Sequence, residues 1–318
     1  MIRLGIIGAG AIVPYHIEAA KLAGFEPIAI CGKDDSVRAQ NLSAKHKSMK
    51  FVRSVEELLQ LETDAILIAS STEANVELIK KCLIKGNPIL VEKPVSLSVK
   101  GIEELDEFDT SRVLVGYNRR HYSSVTSFKS QVSYIDCGLV QVSIPELSWD
   151  HDSNFGTRQR MLFENATHVL DLVLYLFGPI ELLCINKQTD LHGTKYCLAN
   201  FRSSRGFIGT ISLGYGTPEN LSIKCWSSGL NLELNPLEIL KECNELEMLP
   251  ATSEWPVKRY QKKYLDRWKI DDSDVRAKPG FLSQFQELKT LVVNSEVNLK
   301  SATLIDAKNA LLLASQLS

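Results

Sequence analysis

The sequence predicts an α/β protein: a parallel sheet with helices on both faces, followed by an α+β part with a large, mostly antiparallel open sheet. Two observations predict this class. Apolar runs alternate with helix-like stretches up to residue 117, and strand-like runs follow one another from Gly138 onward. Alternation with nearly continuous apolar strands is typical of a covered parallel sheet. Because 318 residues exceed one ordinary core, we expect two domains, 1–117 and 118–318.

The first strand turns on glycines directly into a helix, in the segment IRLGIIGAGAIV that begins at Ile2. Such a turn aims backbone N–H groups and a helix N-terminus at a bound pyrophosphate. Gly8 permits the tight turn, Gly10 lets the backbone approach the phosphate, and Ala11 and Ile12 lead into the helix. Together with the alternation that follows, the turn predicts a Rossmann dinucleotide-binding domain, although the turn alone is a weak signal.

Further apolar runs predict the remaining strands of the parallel sheet: Pro27–Cys31, Lys50–Val52, Asp64–Ala69, Pro88–Val91 and Arg112–Tyr117. Helix-like stretches lie between them: Ala11–Ala23, Asp34–His46, Val55–Leu59, Glu73–Lys85 and Val99–Phe108. Gly24 and Gly86 are placed to end helices, and Asp34 or Asp35 and Ser98 are placed to cap helix starts. We expect ligands in the crevice at the carboxyl ends of these strands, where the second domain can cover them.

The second domain is predicted to hold a series of strands: Leu139–Leu147, Ile180–Lys187, Tyr196–Arg202, Phe207–Leu213, Leu221–Trp226 and Leu230–Leu234. Glycine-containing turns at 203–206 and 227–229 predict hairpins. One long helix, Arg160–Phe177, interrupts the series and is stopped by Gly178-Pro179. Two helices, Gly280–Val293 and Thr303–Gln316, close the chain.

The end of the second strand bears on the choice of cofactor. In NAD enzymes an acidic residue at this point accepts hydrogen bonds from the adenosine ribose. This sequence has Gly32 and Lys33 instead, with Arg38 one helical turn further on. A small residue followed by a cation tolerates and attracts a 2′-phosphate, so the pattern favours NADP over NAD. The alternative is that Lys33 is an ordinary surface charge.

Two other segments carry residues suited to chemistry. The buried strand ILV ends in Glu92-Lys93-Pro94, and the proline confines Lys93 to extended backbone. A lysine at this edge can donate to an oxygen at a reacting carbon, or it can simply be solvated.

The long helix carries one narrow polar stripe, Glu164, His168, Asp171 and Tyr175, within about 60° of each other. We expect it to face a cleft, with Glu164 orienting His168 for proton transfer. The alternatives are a buried structural histidine or a metal site, for which no further ligand cluster appears.

Over essentially its whole length the chain resembles the glucose–fructose oxidoreductase / inositol dehydrogenase (Gfo/Idh/MocA) family. The resemblance rests on Gly8-Ala9-Gly10 with His16 following, Ile68–Thr72 before a helix, Val91–Pro94, Val115–Arg120 and Glu164–Gly178. It implies hydride transfer between NAD or NADP and a sugar, cyclitol or nucleotide-sugar hydroxyl carbon. It also implies that Lys93 is the family's lysine, that His168 is its proton-transfer histidine, and that Glu164 stands in the place of its aspartate. Ser70, Ser71 and Thr72 would lie along the nicotinamide half of the cofactor, with Glu92 and Asn118 nearby.

The sequence departs from the family at four places. Val13 stands where the family prefers alanine or glycine, and we expect it to push the first helix slightly from the strand. Glu164 has a longer arm than aspartate, Asn75 replaces a frequent histidine, and the small residues before the long helix are replaced by Gln159–Phe163. These departures bear on the substrate class more than on cofactor binding.

The leading hypothesis is therefore an NAD(P)-dependent dehydrogenase or reductase that acts on a CH–OH group of a carbohydrate-like substrate. A second is an enzyme that recycles tightly bound NAD without net redox change. A third is a non-catalytic, cofactor-sensing regulatory protein of the same fold, against which the presence of both Lys93 and His168 argues.

Composition narrows the partners. The net charge is −2, which favours neither nucleic acid nor an anionic membrane. The basic stretch Lys258–Lys269 is interpreted as a solvated or docked segment. The seven cysteines form no C-x-x-C pair, which indicates reduced thiols in the cytoplasm, and we expect no signal peptide or membrane span. The open sheet predicts a homo-oligomer, a dimer or tetramer.

Overall fold

The computed structural model describes residues 1–33, 36–146, 158–265, 272–294 and 300–318. Contacts group the chain into two compact units. The first comprises Met1–His121, Phe163–Asp171 and Asp272–Gln316, and the second comprises Tyr122–Leu162, Leu172–Asp271 and Leu317–Ser318. Two later segments thus belong with the N-terminal part of the chain, and the predicted division after residue 117 stays a prediction.

The first unit contains the parallel sheet that the sequence predicts. Its six described strands are β1 (Ile2–Ile7), β2 (Phe25–Cys31), β3 (Lys50–Val52), β4 (Ala65–Ile68), β5 (Ile89–Val91) and β6 (Val113–Val115). They lie in the order β3-β2-β1-β4-β5-β6. The residues of β4, β5 and β6 are buried throughout, because helices cover both faces. The order reverses beside β1, and a crevice opens at such a point.

Five helices connect these strands in the described chain: α1 (Val13–Leu22), α2 (Val37–Lys45), α3 (Val55–Gln60), α4 (Thr72–Leu83) and α5 (Val99–Glu103). The side chain of Ser98 accepts from the Gly101 N–H and caps α5, as predicted. Asp34 and Asp35 lie outside the described residues; the cap observed on α2 is Ser36. Helix α5 ends earlier than predicted. From Glu104 to Phe108 the chain continues as turns, most of whose backbone hydrogen bonds join residues three positions apart instead of four.

The second unit contains a mixed sheet of eight described strands. They are β7 (Gly138–Glu146), β8 (Ile180–Asp190), β9 (Gly193–Ser203), β10 (Phe207–Tyr215), β11 (Ser222–Ser227), β12 (Leu230–Leu234), β13 (Leu240–Leu249) and β14 (Arg259–Leu265). Only β7 and β10 run parallel among the described pairs. Helices α6 (Ser123–Val132) and α7 (Arg158–Met161) belong to this unit. The sheet's inner face packs on a core that includes Phe128, Phe177 and Phe207.

The sequence reasoning missed β13 and β14, since neither strand alternates apolar and polar residues cleanly. They pair antiparallel and are mostly exposed, and opposite charges face each other across them, as in the 2.6 Å contact between Lys263 and Glu245. The basic stretch from Lys258 is therefore, up to residue 265, mostly a strand beside an acidic partner. Residue 147, placed in a strand by the sequence, lies outside the described chain, as do 266–269.

The predicted helix from Arg160 to Phe177 is interrupted. A π-helical turn occupies Leu162–Ala166, and the regular helix α8 covers Thr167–Phe177. Helices α9 (Asp272–Arg276), α10 (Phe281–Val293) and α11 (Leu304–Leu317) follow. Helix α10 joins the core of the first unit, where the Phe281 ring stacks on the His16 ring of α1 at 4.5 Å. Within the described residues no helix is long and apolar enough to cross a membrane.

Candidate active site

A crevice of about 870 Å³ lies at the carboxyl ends of β1, β2 and β4 and is lined by the glycine turn. Gly8 has φ +106°, and a Cβ there would lie 2.1 Å from the carbonyl oxygen of Ala69. A Cβ on Gly10 would meet no atom closer than 3.8 Å, so this residue leaves the backbone open to the crevice. Both glycines thus fit the approach of a pyrophosphate. Val13 is completely buried in the core behind the turn, and the displacement expected from it stays a prediction.

The far end of this crevice is lined by Gly32, Lys33, Ser36 and Arg38. A Cβ on Gly32 would lie 2.5 Å from the Cβ of Ser36, so the position that holds an acid in many NAD enzymes cannot take a side chain without movement of its neighbour. Two cationic side chains, Lys33 and Arg38, line this end of the crevice.

The predicted nicotinamide side of the site begins where β4 ends. Ser70 and Ser71 line the crevice, and Thr72 is the first residue of α4. Ser71 precedes that helix, and no side-chain cap bond from it is seen in the described structure. Its hydroxyl is therefore not engaged in capping. The placement of these three residues beside a nicotinamide stays a prediction.

Glu92 and Lys93 follow β5, and the Lys93–Pro94 peptide is cis. The Glu92 carboxylate contacts His16 Nε2 at 2.6 Å and accepts from the Lys93 N–H at 3.1 Å. Burial opposes the ionisation of Glu92, but the hydrogen bond from His16 and the charge of Lys93 outweigh it and lower the Glu92 pKa. The Asn75 amide donates to the Pro94 carbonyl at 3.1 Å. His16 and Asn75 therefore hold the turn that presents Lys93.

Lys93 contacts the helical segment that carries His168. The Lys93 Nζ donates to the Glu164 carbonyl oxygen at 2.6 Å, and Glu164 lies four residues before His168. The His168 ring lies 5.7 Å from the Tyr117 ring, edge to face. Lys93, Tyr117, Glu164 and His168 all belong to the first unit. We call this group, with Arg119, the catalytic corner.

His168 is half-buried, and its Nδ1 is buried with no hydrogen-bond partner in the described structure. Burial, followed by the positive charges of Lys93, Arg119 and Lys278, holds the pKa of His168 well below its usual value. The imidazole is therefore neutral at neutral pH. The Glu164 carboxylate makes no hydrogen bond to Nδ1 in the described structure. The predicted orienting role of Glu164 stays a prediction, because the π-helical turn changes the spacing on which it was based.

The rest of the predicted polar stripe is occupied by structural contacts. Asp171 is buried and accepts from Arg120 at 2.8 and 2.5 Å, and Arg120 also contacts Asp306 at 3.0 Å. In the second unit, the Lys129 ammonium lies 3.1 Å from the centroid of the Tyr175 ring. Asp171 and Tyr175 therefore have partners that account for their position, and the candidate chemistry rests on the first half of the stripe.

Asn118 was also expected near the cofactor. Its side chain is buried, and its amide nitrogen donates to the Pro279 carbonyl at 2.9 Å, so one of its polar groups is committed to the 278–280 loop. That contact joins the loop that carries Lys278 to the turn that carries Arg119. Sequence reasoning did not single out these two residues. The signal available was the Arg119-Arg120 doublet directly after a strand. No group of three or more metal-ligating side chains is found in the described residues.

The strand order and the glycine-lined crevice define a Rossmann-type dinucleotide-binding fold. Residues 2–116 match the profile of a family described as "Oxidoreductase family, NAD-binding Rossmann fold". The match covers the N-terminal part of the chain and agrees with the resemblance to the Gfo/Idh/MocA family that the sequence motifs indicate.

Curated relatives are distant. The rhizopine catabolism protein MocA of Rhizobium meliloti is 25% identical over 242 residues, which cover 71% of this chain and 74% of that protein. The glucose-6-phosphate 3-dehydrogenase of Bacillus subtilis (strain 168) is 26% identical over 193 residues, which cover 56% of this chain and 54% of that enzyme. The chain thus matches about half the length of the latter.

Solved structures match along the whole chain. A dehydrogenase from Clostridium difficile has a TM-score of 0.78 at 20% identity and covers 99% of this chain and 98% of that one. The UDP-N-acetylglucosamine 3-dehydrogenase from Acidithiobacillus ferrooxidans has a TM-score of 0.75 at 16% identity and covers 99% and 96%. At these identities the likeness establishes the fold.

Proposed function

We propose that the protein is an NAD(P)-dependent oxidoreductase that transfers a hydride between nicotinamide and a hydroxyl-bearing carbon of a sugar, cyclitol or nucleotide-sugar. The observation that carries this proposal is the hydrogen bond from the Lys93 ammonium to the carbonyl oxygen of Glu164, four residues before His168. These residues lie in the same unit as a crevice shaped for a dinucleotide. The relatives named above, which include dehydrogenases of a sugar phosphate and a nucleotide-sugar, support it.

The two side chains divide the chemistry. When bound, the nicotinamide supplies the hydride acceptor or donor. His168, neutral because of burial and nearby cations, accepts the hydroxyl proton in oxidation and returns it in reduction. Lys93 donates a hydrogen bond to the reacting oxygen and stabilises the charge that develops on it, an effect worth a few kcal/mol, on the order of that of an oxyanion-hole donor. Glu164 contributes through its backbone carbonyl, which fixes the Lys93 ammonium.

Cofactor-absorbance turnover with a panel of sugars and cyclitols tests this function. Turnover is expected with at least one member of the panel, and Lys93→Ala and His168→Ala are each expected to lower kcat by about a hundredfold or more. His192→Ala, at an exposed turn, is the matched control. Normal turnover in both corner variants would remove the mechanism. Ligand-dependent partner binding without any turnover would favour a regulatory protein instead.

We infer NADP as the preferred cofactor, supported by Lys33 and Arg38 at the end of the crevice and by the absence of room for an acid at Gly32. We also infer a homo-oligomer. The open face of the second unit's sheet exposes a row of large apolar side chains, Leu139, Leu198 and Ile208 among them, as in surfaces that associate. Sedimentation of the wild type and of Leu198→Glu tests this: the variant is expected to shift towards monomer.

A further inference from the structure

The catalytic corner collects positive charge from separate parts of the chain. Arg119 lies four residues after the end of β6, in a 3₁₀ turn at Asn118–His121. The loop before α10 packs against this turn, since a Cβ on Gly280 would lie 2.1 Å from the Asn118 carbonyl oxygen. The same loop carries Lys278. With Lys93, these residues place three cations near enough to His168 to act on its protonation.

Besides Glu164, which belongs to the corner itself, four carboxylates near it have other partners. Glu92 contacts His16, and Asp171 and Asp306 contact Arg120. Asp274 accepts from the Gly280 N–H at 3.2 Å. In the described chain no ion pair includes Arg119 or Lys278. The charge of the corner is therefore not balanced by acids that the fold dedicates to these two residues.

Arg119 gives the most direct indication that this site binds a hydrogen-bond acceptor from outside the chain. Its Nη1 is buried, and no hydrogen-bond partner for it occurs in the described structure. Leaving a buried guanidinium nitrogen unpaired costs free energy. The Lys278 ammonium lies 5.1 Å from the Tyr15 ring centroid and 5.5 Å from that of Phe281, contacts that leave its hydrogen-bond donors for other groups.

We propose that Arg119 and Lys278 bind an anionic group of the substrate, so that the substrate is a sugar or cyclitol bearing a phosphate or a carboxylate. This inference rests on the proposed function, because it concerns the same site. An oxyanion accepts charge-assisted hydrogen bonds from a guanidinium in a bidentate geometry, and it satisfies the orphaned Nη1. The hydroxyl to be oxidised then lies beside His168 while the anion is held a few atoms away.

Binding measurements separate this inference from turnover. Protein saturated with NADPH, which cannot oxidise a sugar, is titrated calorimetrically with glucose, galactose and mannose, with their 6-phosphates, and with their uronates. At least one anionic member is expected to bind ten times or more tightly than its neutral parent. The phosphate and carboxylate arms decide which anion the corner selects.

Variants assign the effect to the corner. Arg119→Gln is expected to weaken binding of the preferred anion about tenfold, with Arg119→Lys recovering part of the loss and Lys278→Met losing less. Arg53→Gln, exposed at the opposite edge of the same sheet, and Lys47→Met, also exposed, are the matched controls. Thermal unfolding of each variant checks that it is folded.

Three results would overturn the inference: no anionic member that binds more tightly than its parent, equal losses in Arg119→Gln for neutral and anionic members, or a loss confined to NADPH affinity. The last would assign the cations to the cofactor. Selective anion binding without any hydride transfer would instead retain the inference and overturn the proposed function.

Discussion

The dinucleotide crevice and the catalytic corner lie in the same unit but are built in different ways. The crevice is lined by backbone and small side chains from strand ends, and its main features sit within a few residues of each other, as in Gly8 and Gly10. The corner joins residues 71 positions apart, as in the hydrogen bond from Lys93 to Glu164. The crevice depends on local conformation and the corner on tertiary packing. A substitution in one is therefore expected to leave the other intact.

The largest expected effect is a loss of turnover without a loss of cofactor binding in Lys93→Ala. Loss of the ammonium removes a donor to the reacting oxygen, and kcat is expected to fall by about a thousandfold. Cofactor affinity, measured by fluorescence titration, is expected to change by less than about threefold. An equal loss of cofactor affinity and turnover would mean that crevice and corner are not independent.

Gly8→Ala is expected to damage the crevice, and with it cofactor binding, through the glycine turn. The residue has φ +106° and its Cβ would lie 2.1 Å from a carbonyl oxygen, so both strain and a backbone clash arise. We expect a loss of about 3 kcal/mol in the free energy of unfolding, together with a large loss of cofactor binding. Gly10→Ala is the matched control for stability, because space is open there. Equal destabilisation by both substitutions, measured by urea unfolding, would contradict this account of the turn.

The corner is also expected to make stability depend on pH, through a histidine next to it. Burial, followed by the nearby charges of Lys300 and Arg120 and against that of Glu287, lowers the pKa of His121 to about 4. Below its ordinary pKa of 6.5 the unfolded chain binds a proton that the folded chain does not. Stability is therefore full above pH 6.5 and is lost as the pH falls towards 4, by up to about 1 kcal/mol per pH unit.

Urea unfolding of the wild type and of His121→Gln across this range measures the effect. The variant is expected to lose stability less steeply with falling pH, although it also loses the contact between His121 and Ser301. His192→Gln, at an exposed turn, is the matched control. His168, whose pKa is lowered as well, keeps part of the slope in both variants. Identical slopes in wild type and His121→Gln would show that His121 does not contribute.

The same contrast explains what could be predicted from the sequence. The parallel sheet, the caps at Ser98, Gly24 and Gly86 and the glycine turn follow from local patterns, and they agree with the structure. The π-helical turn at Leu162–Ala166 could not be predicted, because its sequence satisfies a regular helical period equally well. The hydrogen-bond partners of Asp171 and Asn75 could not be predicted either, since each contact depends on where a distant segment packs. Strands β13 and β14 were missed because both are mostly exposed and carry many charged residues, so that they lack a buried apolar face.

The smallest expected effect concerns the adenosine end of the crevice, where local pattern and tertiary placement agree. Lys33 and Arg38 line the same end as Gly32, and loss of one charge-assisted bond to a 2′-phosphate lowers affinity by about tenfold. Lys33→Ala is therefore expected to weaken NADPH binding about tenfold while NADH binding changes little, with Lys47→Ala as the exposed control. If both cofactors weaken equally, Lys33 does not read the 2′-phosphate. If neither does, Lys33 is a surface charge, and discrimination at this end falls to Arg38 or is absent.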